Sequence, residues 1–530
     1  MSDRLKYSLL FAILGILFYI PFLGGVHLFD WDEVNFAEIS REMLVLDEYL
    51  RVYVNFDPFW EKPPFFFWLQ ALGMMAFGVG EFAARLPNAI CGVITLVVLF
   101  NIGKTLYNTR FGIIWAGVYF GSVLPFLYFK SGIIDPWFNL FIFLGLYFFI
   151  LSYWKREKLE TIELNRSHWF YLLIGGLMIG MGILTKGPVA YLIAALTMGV
   201  YWVYKRFRFY VNVPQFLFFT IAAFAVAAIW YGMYFIDQFA AFNKYQYRLL
   251  STPDAGHKGF PGYHFAVVLV GCFPASIFAI RSFFRMENEA YDYRQDFKIW
   301  MKFLFWVVLI LFTIVRSKIV HYSSMTYYPL TFLAALVIYN MIENRIAFKP
   351  WMRIGLWALA SLFIIVVFAL TYAGLNIEVI KPLFAKDAFA LANLEADVRW
   401  TGWEVIPGIV LLGVMIYAIQ SIRKGFKIKG FAVLFGGTAV FVMLTLVFFI
   451  KRIEGYSQRA AVEFFESKVN EDCYLITYGY KSYVHLFYAE PQDGEKCCFK
   501  DEACTQKLLH EPLDKPAYIV TKITKVNELK

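Results

Sequence analysis

The chain has 530 residues, of which 60% are apolar and only 17% charged, and its mean hydropathy is +0.57. That balance excludes an ordinary soluble globular protein and points to a polytopic membrane protein. The net charge of +9 does not indicate nucleic-acid binding. Its Lys and Arg residues fall in short loops between apolar runs, the pattern that sets membrane orientation.

The first apolar segment, Tyr7 to Val26, follows Arg4 and Lys6 in the manner of a signal peptide. The bulky Ile20-Pro21-Phe22 stands where a small-residue cleavage site belongs, so the segment reads as a retained anchor. Further apolar runs lie near 85–103, 111–129, 136–154, 169–185, 187–204, 211–236, 263–280, 299–315, 322–342, 353–376, 404–422 and 430–450. At about 20 residues per crossing this makes about thirteen spans.

One more stretch, Pro63 to Gly80, is ambiguous, and the basic residues decide it. If it lies in the interface, Arg4, Lys6, Lys104, Arg110, Lys155, Arg156, Lys205, Arg206, Arg281, Arg345, Arg353, Arg423 and Lys427 share one face. That face is cytoplasmic by the positive-inside rule. If it crosses, every later basic loop turns outward. An interfacial helix after Pro63-Pro64 is therefore expected, prolines being tolerated where the first N–H groups are unpaired anyway. The same parity gathers Asp32, Glu33, Glu61, Lys62, Asp135, Lys186, Arg248, His257, Lys258, Arg316, Lys318 and His321 on the extracytoplasmic side.

Composition changes from about Glu454. Gln458 to Val469 reads as an amphipathic helix, and the runs starting at Cys473 and Ala517 read as strands. The expected organisation is a membrane domain, residues 1–453, and a small extracytoplasmic α/β domain, residues 454–530. The latter holds Cys473, Cys497, Cys498 and Cys504. Disulfides are permitted in that compartment, with adjacent Cys497 and Cys498 expected to take different partners. A zinc site is the weaker reading, since no clean C-x-x-C spacing is present.

The first external loop carries the densest charge, Asp30-Trp31-Asp32-Glu33 and then Glu61-Lys62-Pro63-Pro64. Asp32 and Glu33 could cap a helix Val34–Leu46, and Glu61 and Lys62 could form an interfacial salt bridge. Lys62 before proline, however, is held in a stiff turn, which suits a lipid-linked phosphate. Asp135, in Ser131-Gly-Ile-Ile-Asp-Pro136, could be a turn residue, and Lys186, in Thr185-Lys-Gly-Pro188, could snorkel. His257 lies in a long loop with Asp254 and Lys258. Arg316, Lys318 and His321 crowd one span end with Tyr322 and would make an anion site. Carboxylates with several cations at a membrane surface suit transfer of a sugar from a polyprenyl phosphate. Cations neutralise the leaving phosphate, and a carboxylate accepts the acceptor's proton. A groove between spans would take the lipid tail. A transporter or flippase of an anionic lipid-linked substrate is the alternative, but no paired repeat is evident. A structural envelope subunit would leave the acidic pair unexplained.

These motifs resemble the GT-C glycosyltransferases, in the branch of the aminoarabinose (lipid A) transferases and dolichyl-phosphate-mannose protein mannosyltransferases. The resemblance rests on Asp32-Glu33-Val34-Asn35-Phe36-Ala37-Glu38-Ile39-Ser40-Arg41-Glu42-Met43 and Trp60-Glu61-Lys62-Pro63-Pro64. Glu81-Phe82-Ala83-Ala84-Arg85-Leu86-Pro87, Thr185-Lys186-Gly187-Pro188 and Ser317-Lys318 with Tyr322 follow in the family's order. The resemblance implies an all-α GT-C bundle with interfacial helices in the first external loop and a small C-terminal α/β domain. It implies an integral protein of a bacterial inner membrane, with the active site and C-terminal domain periplasmic. Asp32 matches the catalytic acid, Glu33 stands beside it, and Asp135 matches a second acidic position. Lys62 and Arg248, with Lys186 and Lys318, would hold the donor phosphate. Glu61, His257, His321 and Tyr322 would contact substrate, and Glu61 could contact a divalent metal, as in some members. The expected partners are a polyprenyl-phosphate-linked sugar, a lipid, glycan or protein acceptor, and membrane lipid, with no nucleic acid. Asn35-Phe36 replaces the branch's usual Arg-Tyr, which implies another sugar or acceptor than aminoarabinose and lipid A.

Overall fold

The computed structural model describes residues 2–157, 164–233, 259–284, 292–492 and 502–529, together with 240, 244 and 247. Apolar sequence in lipid leaves backbone groups no partner but each other, so the spanning elements are helices. Among the described residues, eight helices are long and apolar enough to cross, from Glu81–Leu106 to Lys427–Ser457, and ten segments qualify if each bent pair counts as one span. The bent pairs are Thr109–Phe120 with Val123–Lys130, at 79°, and Tyr263–Gly271 with Ala275–Phe283, at 117°. The other segments read as spans are the helices Asp3–Tyr19, Val189–Tyr204 and Val213–Met233, of 17, 16 and 21 residues. The lipid-facing character is plainest in Pro350–Leu375, whose apolar window is only 22% buried inside the protein.

The ambiguous stretch after Pro63-Pro64 folds as the helix Phe65–Phe77 of 13 residues. At 1.5 Å per residue it is about 20 Å long, too short for a core about 30 Å thick. The first loop also contains the helix Asp32–Val45 and a small antiparallel hairpin, Tyr53–Val54 with Asp57–Pro58. Helix Asp32–Val45 starts two residues before the expected Val34. Asp32 and Glu33 lie in its first turn, not at its cap, and the N-cap Trp31 makes no side-chain cap bond.

The last long helix, Lys427–Ser457, runs past residue 453. The amphipathic helix that follows is Arg459–Glu466, and strands Tyr474–Tyr478 and Ala517–Thr521 pair in parallel with Tyr474 opposite Ala517. Val462, Phe465, Leu475, Tyr483, Val484 and Phe487 of this segment share one apolar core with Leu28, Val34, Phe36 and Phe66 of the first loop. Each such side chain contributes about 1.5–3 kcal/mol by leaving water, so the C-terminal segment and the loop that carries Asp32 are packed as one body. Cys504 is disulfide-bonded and Cys473 is free; Cys497 and Cys498 lie outside the described residues.

Candidate active site

Successive helix residues point about 100° apart, and this separates the two adjacent acids. The Asp32 side chain is 42% exposed and faces His321, with Nε2 to Oδ2 at 3.6 Å. Among the described residues no N–H or O–H group donates to it. Glu33 points inward. Its carboxylate accepts from Arg85 Nη2 at 2.8 Å and Nε at 3.1 Å, from Phe29 N–H at 3.0 Å and from Gly132 N–H at 2.5 Å. Arg85 in turn donates to the carbonyls of Leu23, Val26 and His27 at 2.8, 2.8 and 3.0 Å. Burial pushes the Glu33 carboxyl up, but the Arg85 charge and these hydrogen bonds outweigh it and hold the group below its ordinary value. The expectation that Glu33 shares the chemistry is therefore corrected: it clamps the loop to the helix Glu81–Leu106.

Asp135 opens the helix Asp135–Glu157 and Lys186 closes His168–Lys186, so each end carries the charge that complements its dipole. The two side chains meet at 2.7 Å. Lys186 also lies 5.5 Å over the Phe138 ring and 5.3 Å over Tyr322. Lys62 stands within electrostatic reach of Lys186, Glu61, Asp32 and Asp135; burial, with the neighbouring Lys186 cation, pulls its ammonium down from the usual range. Asp32, Lys62, Asp135, Lys186, His321 and Tyr322 thus converge from five separate segments. Glu61 is within electrostatic reach of Lys62 and of Tyr483.

One expected phosphate contact, Lys318, is not brought into this cluster's chemistry. Lys318 donates to the carbonyls of Phe312, Thr313 and Val315 at 3.2, 2.6 and 2.6 Å, ending the helix Tyr293–Ile314. Its ammonium is occupied by these acceptors, as basic residues at helix C-termini commonly are, so the expectation of a phosphate contact is corrected to a cap. Arg248 and His257 lie outside the described residues. Among the described residues, no three His, Cys, Asp or Glu side chains converge as a metal-holding group.

Sequence reasoning assigned no role to Arg85, Gln458, Lys481 or Tyr483. A lone arginine at the start of an apolar run was a usable signal for the first; the others reach the loop from more than 400 positions away.

The Lys62 segment is held from behind. Glu42 accepts the N–H groups of Asn55 at 2.5 Å and Phe56 at 3.0 Å. Both turn residues have left-handed φ, 57° and 60°, the geometry of a tight hairpin turn. Burial and the adjacent Glu38 push the Glu42 carboxyl up to about 9. The raised value means its contribution to stability is complete below the unfolded value of 4.5 and is lost as pH rises toward 9. We expect stability in detergent, followed by the thermal midpoint, to fall between pH 5 and 9, by at most about 1.4 kcal/mol per pH unit. Glu42→Gln should remove most of that slope; an unchanged slope would contradict this account.

A cavity of about 440 Å³ lies behind Glu33 and Arg85, lined by Leu23, Val26, Leu124, Leu127, Met443 and Leu446. Neither Asp32, Lys62 nor Lys186 lines it.

Residues 61–231 match the family described as dolichyl-phosphate-mannose-protein mannosyltransferase. A protein of Pectobacterium atrosepticum named undecaprenyl phosphate-alpha-4-amino-4-deoxy-L-arabinose arabinosyl transferase is 24% identical over 82% of this chain and 76% of its own length. A Pseudomonas aeruginosa protein of the same name is 25% identical over 74% and 69%. The crystal structure of ArnT from Cupriavidus metallidurans in the apo state superposes with a TM-score of 0.73 at 17% identity, covering 100% of this chain and 95% of that one. The same protein bound to undecaprenyl phosphate gives 0.70, at 17% identity over 99% and 91%. The chain has the fold of ArnT. In this chain the departure at Asn35-Phe36 has a structural counterpart. Phe36 packs against Phe66 and Phe67 with ring centroids 6.2 and 5.6 Å away, while the buried Asn35 Oδ1 has no hydrogen-bond partner among the described residues.

Proposed function

We propose that this protein moves a sugar from a polyprenyl phosphate to an extracytoplasmic acceptor with inversion at the anomeric carbon. The acceptor oxygen forms a bond to that carbon as the bond from carbon to phosphate oxygen breaks, and the electron pair leaves with the polyprenyl phosphate. Asp32 accepts the proton of a hydroxyl acceptor. Lys62 meets the charge that grows on the leaving phosphate, with the Asp135–Lys186 pair setting the field beside it. The observation that carries the reading is the exposed, unclamped Asp32 carboxylate within electrostatic reach of Lys62, which Lys186 and Asp135 also adjoin.

The relatives' names support an undecaprenyl-phosphate-linked aminoarabinose as the first donor to try. Lipid A, a glycan or a protein would be the acceptor. The basic loops support a bacterial inner-membrane protein with the site and residues 454–530 on the periplasmic side. The test is turnover by the purified protein with a panel of polyprenyl-phosphate sugars and envelope lipid extract. Turnover with one donor establishes the reaction. No turnover with any, together with movement of the lipid across sealed vesicles, would replace it with translocation.

Within that assay Lys62→Ala should raise the donor KM about tenfold to a hundredfold, the range of one lost charged hydrogen bond. A donor KM equal to the wild type's would remove Lys62 from the phosphate site.

A further inference from the structure

Residues Leu28 to Asp30 lead directly into the helix that carries Asp32, and the far end of the chain meets their polar groups. Leu28 N–H donates to the Tyr488 hydroxyl at 2.6 Å, and Leu28 C=O accepts from Gln458 Nε2 at 2.6 Å. Asp30 N–H donates to Gln458 Oε1 at 3.2 Å, and Asp30 Oδ1 accepts from Tyr483 N–H at 3.3 Å. One glutamine side chain therefore closes two bonds on this stretch, as a neighbouring strand would. Around it, Trp31 packs edge-on to Tyr483 at 6.0 Å with Lys481 Nζ 4.1 Å over the indole. His27 Nδ1 sits 2.8 Å from Glu454 Oε1. The helix N-terminus itself has no side-chain cap; Glu33 anchors its first turn to Arg85 and Gly132, and the stretch leading into it is held from the far end of the chain.

We propose that the segment following the last long helix is part of the catalytic apparatus, with Gln458 as a positioning residue for Asp32 and Tyr483 and Tyr488 completing the clamp on residues 28–30. The inference rests on the reading of Asp32 as the reacting carboxylate. A reacting group misplaced by about 1 Å can cost about a hundredfold in rate. A side chain that touches neither substrate nor Asp32 can therefore govern kcat while leaving donor binding at Lys62 alone.

Three proteins decide it: wild type, Gln458→Leu, which keeps the volume but removes both bonds, and Gln458→Glu, which keeps an acceptor for Asp30 N–H. With undecaprenyl-phosphate aminoarabinose and a hydroxyl acceptor, the leucine variant should lose about tenfold to a hundredfold in kcat with donor KM within about twofold. The glutamate variant should fall between the two. Amide hydrogen exchange over residues 28–35 should quicken in the leucine variant while the membrane helices exchange as in wild type. Wild-type kcat and exchange in both variants would overturn the proposal. So would a global fall in protection with equal losses in both. If the wild type does not turn over this donor, the functional reading fails for that donor, while exchange over 28–35 still decides the clamp.

Discussion

Asp32→Asn should yield a folded, membrane-inserted protein whose transfer to a hydroxyl acceptor is about 10²–10⁴-fold slower, the range a positioned general base supplies. Asparagine matches aspartate in shape but cannot take up the acceptor's proton. The change also leaves the structure undisturbed. The Asp32 side chain is 42% exposed and, among the described residues, faces only His321 at ion-pair distance, 3.6 Å away, so none of their buried charges loses its partner. The thermal midpoint in detergent should stay within about 2 °C of wild type, as surface substitutions usually do. Rate and midpoint must therefore be read together. Retained turnover would sink the assignment of the base. A phosphate acceptor needs no proton removed at neutral pH, so a loss confined to hydroxyl acceptors would place the role of Asp32 in proton transfer. Equal loss with both acceptor types would place it in orienting the acceptor.

Much of this site was legible because membrane topology is a one-dimensional problem. The side of each loop follows from counting spans and basic residues, and that put Asp32, Lys62, Asp135, Lys186 and His321 on one face before any contact was known. The fold then had only to draw span ends together, and Asp135 and Lys186 meet at 2.7 Å as helix termini naturally can. Direction around a helix and distant partners were not legible. Lys318 sits on the right face, yet the end of its own preceding helix claims its ammonium. The docking of residues 458–488 onto the first loop depends on a shared apolar core whose two halves stand at opposite ends of the sequence. No local periodicity reports such a pairing.

The adjacent acids give the sharpest contrast, because the second should behave in the opposite way to the first. Arg85→Ala should destabilise the protein by about 3–5 kcal/mol, the cost of leaving a buried carboxylate without its cation. The reason lies in Glu33, which is 7% exposed and would keep only the Phe29 and Gly132 N–H groups as donors. The carbonyls of Leu23, Val26 and His27 would lose their donor as well. Glu33→Gln should cost less, since a neutral side chain remains to accept from Arg85, whose three carbonyls still hold it. Arg85→Lys should not rescue fully, because an ammonium cannot reproduce the planar fork that serves both a carboxylate and several carbonyls. Acid should act in the same direction. Glu33 is held below its ordinary value, so its contribution is present above 4.5 and is lost as pH falls through the lower folded value. The decisive quantity is turnover per folded molecule. Glu33→Gln should retain it within about tenfold, well short of a lost general base, even as the midpoint drops. A Glu33→Gln protein that melts like wild type yet turns over as slowly as Asp32→Asn would return Glu33 to the reaction and require the Arg85 clamp to open during catalysis.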